Sequence, residues 1–423
     1  MRLGRVMMLV MLVAGCGAPA PPPGTGGGAL AQGQCGRGMV VVQSDYQSTN
    51  VSLLARDRTV ASSSFISSGS ADPGLSAALS GDVAVPTVRV AGDEVVLIDR
   101  FPASVVSWVN LETAQVVGQL DVRTGFSSNP QDVLAVAEGL ALISRYETNS
   151  APGKEPFDAG GDLLMVDPRG PAITGRIDLA EGVADAPGAL PRPSRMIDVD
   201  EDVVVVLEAI SEDFSSFADS RLALVDPSLG KIQDVLVLDG LAGCWGAAAE
   251  PPIGVDGEPS QRRVAITCNG GFTSEGSADV ARAGVVVVGV SGGALVEQAR
   301  FAASAIADRP MGSGVAFADA SRLLVVGMGD EATGRNDVLV SLDLDGSTEV
   351  LLTTQELPFV LGDVRCMGRV QVGGDDAGCG VCWVADAERG VVHRVRVGPT
   401  LTVEGEVTVD EAIGLPPRYL GGL

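Results

Sequence analysis

The sequence predicts an all-β fold, a seven-bladed β-propeller of four-stranded antiparallel blades closed by pairing of the N- and C-terminal strands in one blade. Three observations predict it. One apolar strand signature recurs seven times, each copy is flanked by further strands and tight turns, and the last residues look like the opening strand of a unit whose other strands stand at the amino end.

The elements follow in chain order. Arg2 and Arg5 precede the apolar run Val6 to Ala14, too short to span a bilayer and right for the apolar region of a secretory signal. The run ends in Leu12-Val13-Ala14-Gly15-Cys16, which resembles the lipobox of bacterial lipoproteins. The resemblance implies a signal peptide over 1–15 and diacylation of Cys16, which becomes the new amino terminus and is acylated again. Several acyl chains hold a protein on a membrane without spanning it. Gly17 in place of Asp implies, by the same resemblance, sorting to the outer membrane. Residues 16–36 then read as the lipidated cysteine and a Pro/Gly-rich tether, and residues 37–423 as the propeller.

The recurring signature is an apolar run ending in a small residue, then a polar one, then often an aromatic or Gly. Its copies are Val40 to Tyr46, Val95 to Phe101, Leu140 to Tyr146, Val203 to Ala209, Val264 to Gly270, Leu323 to Gly329 and Val381 to Ala387, at intervals of 45 to 63 residues. A further strand, a turn and a returning strand follow, as in 163–179 and 222–238, where Asp-Pro supplies the turn. Runs such as 129–139, 192–202 and 309–319 precede the copies and supply an innermost strand. Each unit is a four-stranded meander that cannot bury both faces alone, and a ring of seven buries them all. The first unit starts with its second strand at Met39, so the strand ending in Pro417-Arg418-Tyr419-Leu420 is expected to complete it and leave no open edge. A ring closed this way is expected to be a monomer.

On Val166-Asp167-Pro168 and Val225-Asp226-Pro227 the chain resembles the YVTN and quinoprotein-like propellers, over about residues 38 to 423. The resemblance is one of architecture, since the Tyr-Val-Thr-Asn core is absent and the repeat is longer than that of WD-type blades.

Composition narrows the chemistry. With 54 acidic against 29 basic residues the formal charge is −25, and no basic stripe offers itself to a phosphate backbone, so nucleic acid is not an expected partner. The single histidine, His393, excludes sites needing two imidazoles, and its alternating surroundings place it in a strand. No cofactor motif appears, and Trp108, Trp245 and Trp383 stand at unlike positions. Acidic clusters at Asp198 to Asp202, Asp343 to Gly346 and Gly373 to Asp376 could hold structural calcium, but their positions fit hairpin-turn carboxylates better.

Six cysteines besides Cys16 point to disulfides in an exported chain. Cys244 and Cys268 stand on the inner and next strands of one unit and are expected to pair. Cys366, placed at the matching inner position two units later, is expected to reach Cys379 or Cys382, leaving the other for Cys35. Aligned inner strands put Arg195, Arg365 and Arg418 at one position, with Asp132 there in another blade. Facing the channel mouth, the three guanidiniums would form an anion site, unless they pair with Asp132 and nearby turn acids. The functional expectation is a lipid-anchored module of the cell envelope that binds a protein or a small anionic ligand. The alternatives are a periplasmic propeller enzyme, quinoprotein-like, lyase or hydrolase, and an accessory lipoprotein of outer-membrane assembly.

Overall fold

The computed structural model describes residue 30 and residues 36–70, 77–90, 92–251, 262–272, 278–331, 333–356, 358–367 and 380–423. They form seven four-stranded antiparallel sheets around an axis, a seven-bladed β-propeller. From the axis outward, blade 1 is built from Pro417–Gly422, Gly38–Ser44, Thr49–Ala55 and Val60–Ser67. Blade 2 is Val83–Ala84, Glu94–Asp99, Val105–Asn110 and Val116–Asp121, and blade 3 is Pro130–Ala137, Leu140–Thr148, Gly160–Asp167 and Ala172–Asp178. Blade 4 is Pro193–Val199, Asp202–Leu207, Arg221–Asp226 and Lys231–Val237, and blade 5 is Cys244–Ala249, Val264–Asn269, Ala283–Ser291 and Ala294–Ala302. Blade 6 is Met311–Phe317, Arg322–Gly327, Val338–Asp343 and Thr348–Thr353, and blade 7 is Leu361–Met367, Val381–Asp386, Val391–Val397 and Leu401–Thr408.

All seven signature copies are the second strand of a blade, and their unbroken apolar character has a direct cause. Side chains alternate between the two faces of a strand, and in a propeller both faces meet a neighbouring blade. In blade 4, Val203, Val205 and Leu207 pack with Leu142 and Leu163 of blade 3. Val204 and Val206, between them, pack with Ile266 and Val286 of blade 5. A fully buried Val or Leu contributes about 1.5–3 kcal/mol, and the blade interfaces are built almost wholly from such residues. The outer strands meet solvent and lose the pattern, as the charged and half-exposed Lys231–Val237 shows.

The ring closes as the sequence predicts. Pro417–Gly422 pairs antiparallel with Gly38–Ser44, Val41 opposite Leu420 and Met39 opposite Gly422. Met39, Val41 and Leu420 then pack with Trp383 and Ala385 of blade 7, so closure is also a core contact.

Two disulfides join inner and second strands, Cys244 to Cys268 in blade 5 and Cys366 to Cys382 in blade 7. The heights of the two bridges correct the alignment of their cysteines. Cys244 opens its inner strand, opposite Cys268 near the end of the second, whereas Cys366 lies near the end of its own, opposite the second residue of its partner. Cys16, Cys35 and Cys379, the signal peptide and most of the tether lie outside the described residues. No described helix is long and apolar enough to cross a membrane.

Candidate functional site

Inner strands all begin, and second strands all end, at one face of the disk. At that face six of the seven inner strands, all but that of blade 2, share a defect. In blade 1 Gln43 pairs with Pro417 and Val42 with Tyr419, so Arg418 is an unpaired bulge residue. The same bulge follows the first strand residue at Gln131 in blade 3, Ser194 and Arg195 in blade 4, Trp245 in blade 5, 312–314 in blade 6 and 362–363 in blade 7. A bulge bends the strand and re-aims its extra residue, here toward the axis. Proline opens three of these strands, Pro130, Pro193 and Pro417, at a position where a missing ladder N–H costs little.

The bulge residues enclose an axial cavity of about 190 Å³ to which every blade contributes. Its circumference is divided. Blades 1 to 4 supply Arg418, Arg100, Gln131, Arg195 and Glu208, while blades 5 to 7 supply Trp245, Met328 and Phe359 with Val360 and Leu361. Tyr46 and Tyr419 of blade 1 complete the wall.

The three arginines on this wall are held differently. Arg100 is committed to the protein: Nε donates to Asp82 (3.1 Å), Nη1 to Gln131 (3.3 Å) and Nη2 to the Tyr419 hydroxyl (2.6 Å). Arg195, only 9% exposed, is fixed through Nε, which donates to the Trp245 carbonyl at 3.3 Å. Arg418 is fixed through Nε on the Ser44 carbonyl at 3.3 Å, with its guanidinium 5.0 Å from the centre of the Tyr46 ring. Neither Arg195 nor Arg418 forms an ion pair with a described carboxylate within 4.0 Å, although the charge of Arg195 acts on the buried Asp132 and Glu208, and both arginines line the cavity. The supports are themselves pinned: Trp245 Nε1 donates to the Met311 carbonyl at 3.2 Å. Asp337 accepts from the backbone N–H of Phe359, Val360 and Leu361 at 2.6 to 2.9 Å, which anchors the loop carrying Phe359.

Glu208 directly follows the second strand of blade 4 and is 9% exposed. Burial pushes its carboxyl up to about 7, against the Tyr146 hydroxyl, which donates to Oε2 at 3.1 Å, and the nearby Arg195 and Arg192. Arg192 is buried behind it, over the rings of Phe214 and Tyr146 at 4.1 and 5.2 Å and paired with Glu147. The pocket therefore carries two available guanidiniums and one carboxyl of shifted acidity.

The structure separates the residues that the aligned inner strands put at one position. Arg195 and Arg418 share the bulge and the cavity. Arg365 pairs opposite Trp383, beyond its own blade's bulge, and does not line the cavity. Its Nε donates to the Leu420 carbonyl (2.7 Å) and its Nη1 to the Thr87 carbonyl (3.0 Å). Asp132 follows its bulge, is fully buried, and accepts from the backbone N–H of Thr87 (2.9 Å) and Met196 (2.8 Å), clamping blades 2, 3 and 4 together. The alignment slips because the bulge holds one residue in blades 1, 3 and 5 and two or three in blades 4, 6 and 7. Counting along the strand does not preserve height.

The remaining candidates fall elsewhere. His393 is buried in the third strand of blade 7 with Nε2 2.7 Å from Asp386, off the cavity wall. Asp198 pairs with Arg262 at 2.5 Å, and Asp343 and Asp345 accept from Ser347 in their turn. Among the described residues no group of three His, Cys, Asp or Glu side chains could hold a metal, and Gly373 to Asp376 lie outside those residues. Of the tryptophans, Trp245 alone reaches the cavity.

Sequence reasoning did not single out Glu208, Trp245, Tyr46 or Phe359 as site residues. A signal for some was present in the repeat itself. The residues ending each copy, among them Asp45-Tyr46, Arg100-Phe101, Glu208 and Met328, stand at the mouth face, and four of them line the cavity.

No family model matches the chain, and no curated protein matches it in sequence. Among solved structures, a protein from Lactobacillus plantarum aligns at TM-score 0.55 and 12% identity over 91% of this chain and 98% of its own. A candidate 6-phosphogluconolactonase of Bacteroides fragilis aligns at TM-score 0.50 and 11% identity over 91% and 97%. BamB from Moraxella catarrhalis aligns at TM-score 0.42 and 15% identity over 85% and 82%. At such identities the likeness is one of fold, carried by the two neighbours at TM-score 0.50 and above.

Proposed function

We propose that this propeller is a lipid-anchored binding module of the cell envelope whose axial pocket takes a small anionic ligand. One observation carries the reading: two bulge arginines, Arg195 and Arg418, are fixed by Nε, line one cavity and form no ion pair within 4.0 Å of a described carboxylate. A guanidinium preset in this way meets a carboxylate or phosphate with strong, directional hydrogen bonds. The enclosed volume, equal to about six waters at ~30 Å³ each, suits a compact metabolite.

The chain enters the propeller away from the pocket. Arg37 N donates to the Leu423 carbonyl (2.8 Å) and Leu423 N to the Gly38 carbonyl (2.9 Å), where the inner strand ends, so the tether meets the disk at the face opposite the pocket.

Calorimetric titration of the full chain in detergent with phosphate, succinate and short monocarboxylates tests the reading. Arg195→Gln and Arg418→Gln are each expected to weaken the best of these anions about 10- to 100-fold, the range for one charged hydrogen bond. Unchanged affinity in the double variant contradicts it. The mass of the amino-terminal peptide reads the anchor independently.

A further inference from the structure

We propose that the ligand of the axial pocket is an apolar amino acid or a zwitterion of like size, its carboxylate on Arg195 and Arg418, its ammonium on Glu208 and its side chain against Trp245, Met328 and Phe359. The proposal rests on the reading of the pocket as an anion site and adds two features an anion alone does not use.

The first is the carboxyl. Glu208 lines the same cavity as the arginines, yet no ion pair within 4.0 Å joins it to Arg195 or Arg418. The Tyr146 hydroxyl donates to Oε2 and the Ser194 hydroxyl stands beside the carboxyl, which leaves acceptor capacity on a group with about four lone-pair sites. Opposite charges held apart in one small space are complementary to a ligand that carries both. For a simple anion the carboxylate would be an adverse neighbour, and a binding site improves by its removal.

The second is the division of the wall. The charged groups come from blades 1 to 4, and the three large side chains of blades 5 to 7 form a mainly apolar arc opposite them. A ligand filling the cavity therefore has a charged half and an apolar half. Phosphate, succinate or any other symmetric small anion leaves that arc covered only by water. An amino acid such as leucine or phenylalanine matches both halves and the volume of about 190 Å³.

Protons give a separate readout. With its carboxyl raised to about 7 by burial, Glu208 is partly protonated at neutral pH in the empty pocket, and an arriving ammonium drives it to the charged form. The groups that face it are Tyr146 from blade 3, Arg192 behind it and Arg195 beside it, with Glu147 paired to Arg192. Binding at pH 7 is therefore expected to release about half a proton per ligand, the share Glu208 holds in the empty pocket.

The test compares three probes by calorimetry on the full chain in detergent at pH 8: L-leucine, 4-methylpentanoate, which lacks the ammonium, and 3-methylbutylamine, which lacks the carboxylate. L-Phenylalanine with 3-phenylpropanoate and 2-phenylethylamine repeats the comparison. The zwitterion is expected to bind at least tenfold more tightly than either partial probe. Glu208→Gln, a shape-conserving change checked by its thermal transition, is expected to reduce the zwitterion to the level of the deaminated acid without weakening that acid. At pH 7 the zwitterion's enthalpy is expected to vary with buffer ionisation in the wild type and not in the Gln variant. If the deaminated acid binds as tightly as the zwitterion and still depends on both arginines, the zwitterion assignment is overturned while the anion site stands. If no amino acid binds, the assignment also falls, and phosphate and succinate then decide the anion reading alone.

Discussion

Glu208 shows how one buried group can serve a site at a cost to the fold. Its carboxyl is raised from 4.5 to about 7 because burial disfavours its charge. A raised acid leaves stability intact below the unfolded value and removes it as pH climbs to the folded value, so the chain weakens between about pH 4.5 and 7 and levels off above. Glu208→Gln is expected to raise unfolding free energy at pH 8 by about 1–3 kcal/mol, with the gain gone by pH 4; urea titrations of both chains across that range check it. A gain independent of pH would show that Glu208 is not the cause. At this scale the sequence was partly legible. Arg195 and Arg418 were marked by their place on the inner strand, because cations are scarce in so acidic a chain. Glu208 was one acid among 54, and only burial distinguishes it.

The legible part of the strands was their burial; the illegible part was their register. Continuous apolar runs such as Val203 to Leu207 declare that both faces are covered, which is why every second strand could be read from sequence. Bulges of one, two or three residues leave no mark in composition, and they moved Arg365 out of the pocket while keeping Arg195 and Arg418 in it. The cysteines behaved likewise, the pairing of Cys244 with Cys268 being readable and the height of Cys366 not. Each bridge joins adjacent strands across 24 and 16 residues of chain, spans for which loop closure is worth about 3 kcal/mol. Replacing Cys244 and Cys268 together by Ala is therefore expected to lower unfolding free energy by about 2–4 kcal/mol in urea titration. No change would mean that the blade interfaces already hold these strands in the unbridged chain.

Closure makes the molecule a ring with its two ends tied, and it makes the last strand indispensable. Leu420 is fully buried between blades 7 and 1. Leu420→Ala is expected to cost about 2–5 kcal/mol, as a cavity at a packed interface does, with one cooperative unfolding transition retained. A loss confined to blade 1, seen by hydrogen exchange as local opening beside six undisturbed blades, would contradict a ring stabilised as a whole. The ring also explains the site, since only full closure sets bulges from opposite blades around one cavity. The pocket's content is the direct test of that account. The full-length protein and its Arg195→Gln, Arg418→Gln variant would be extracted from native membranes in mild detergent, and the small molecules they release identified by mass spectrometry. The account predicts a compact carboxylate- or phosphate-bearing compound, near one per chain, from the wild type and none from the variant. The same compounds from both, or none from either, would contradict it.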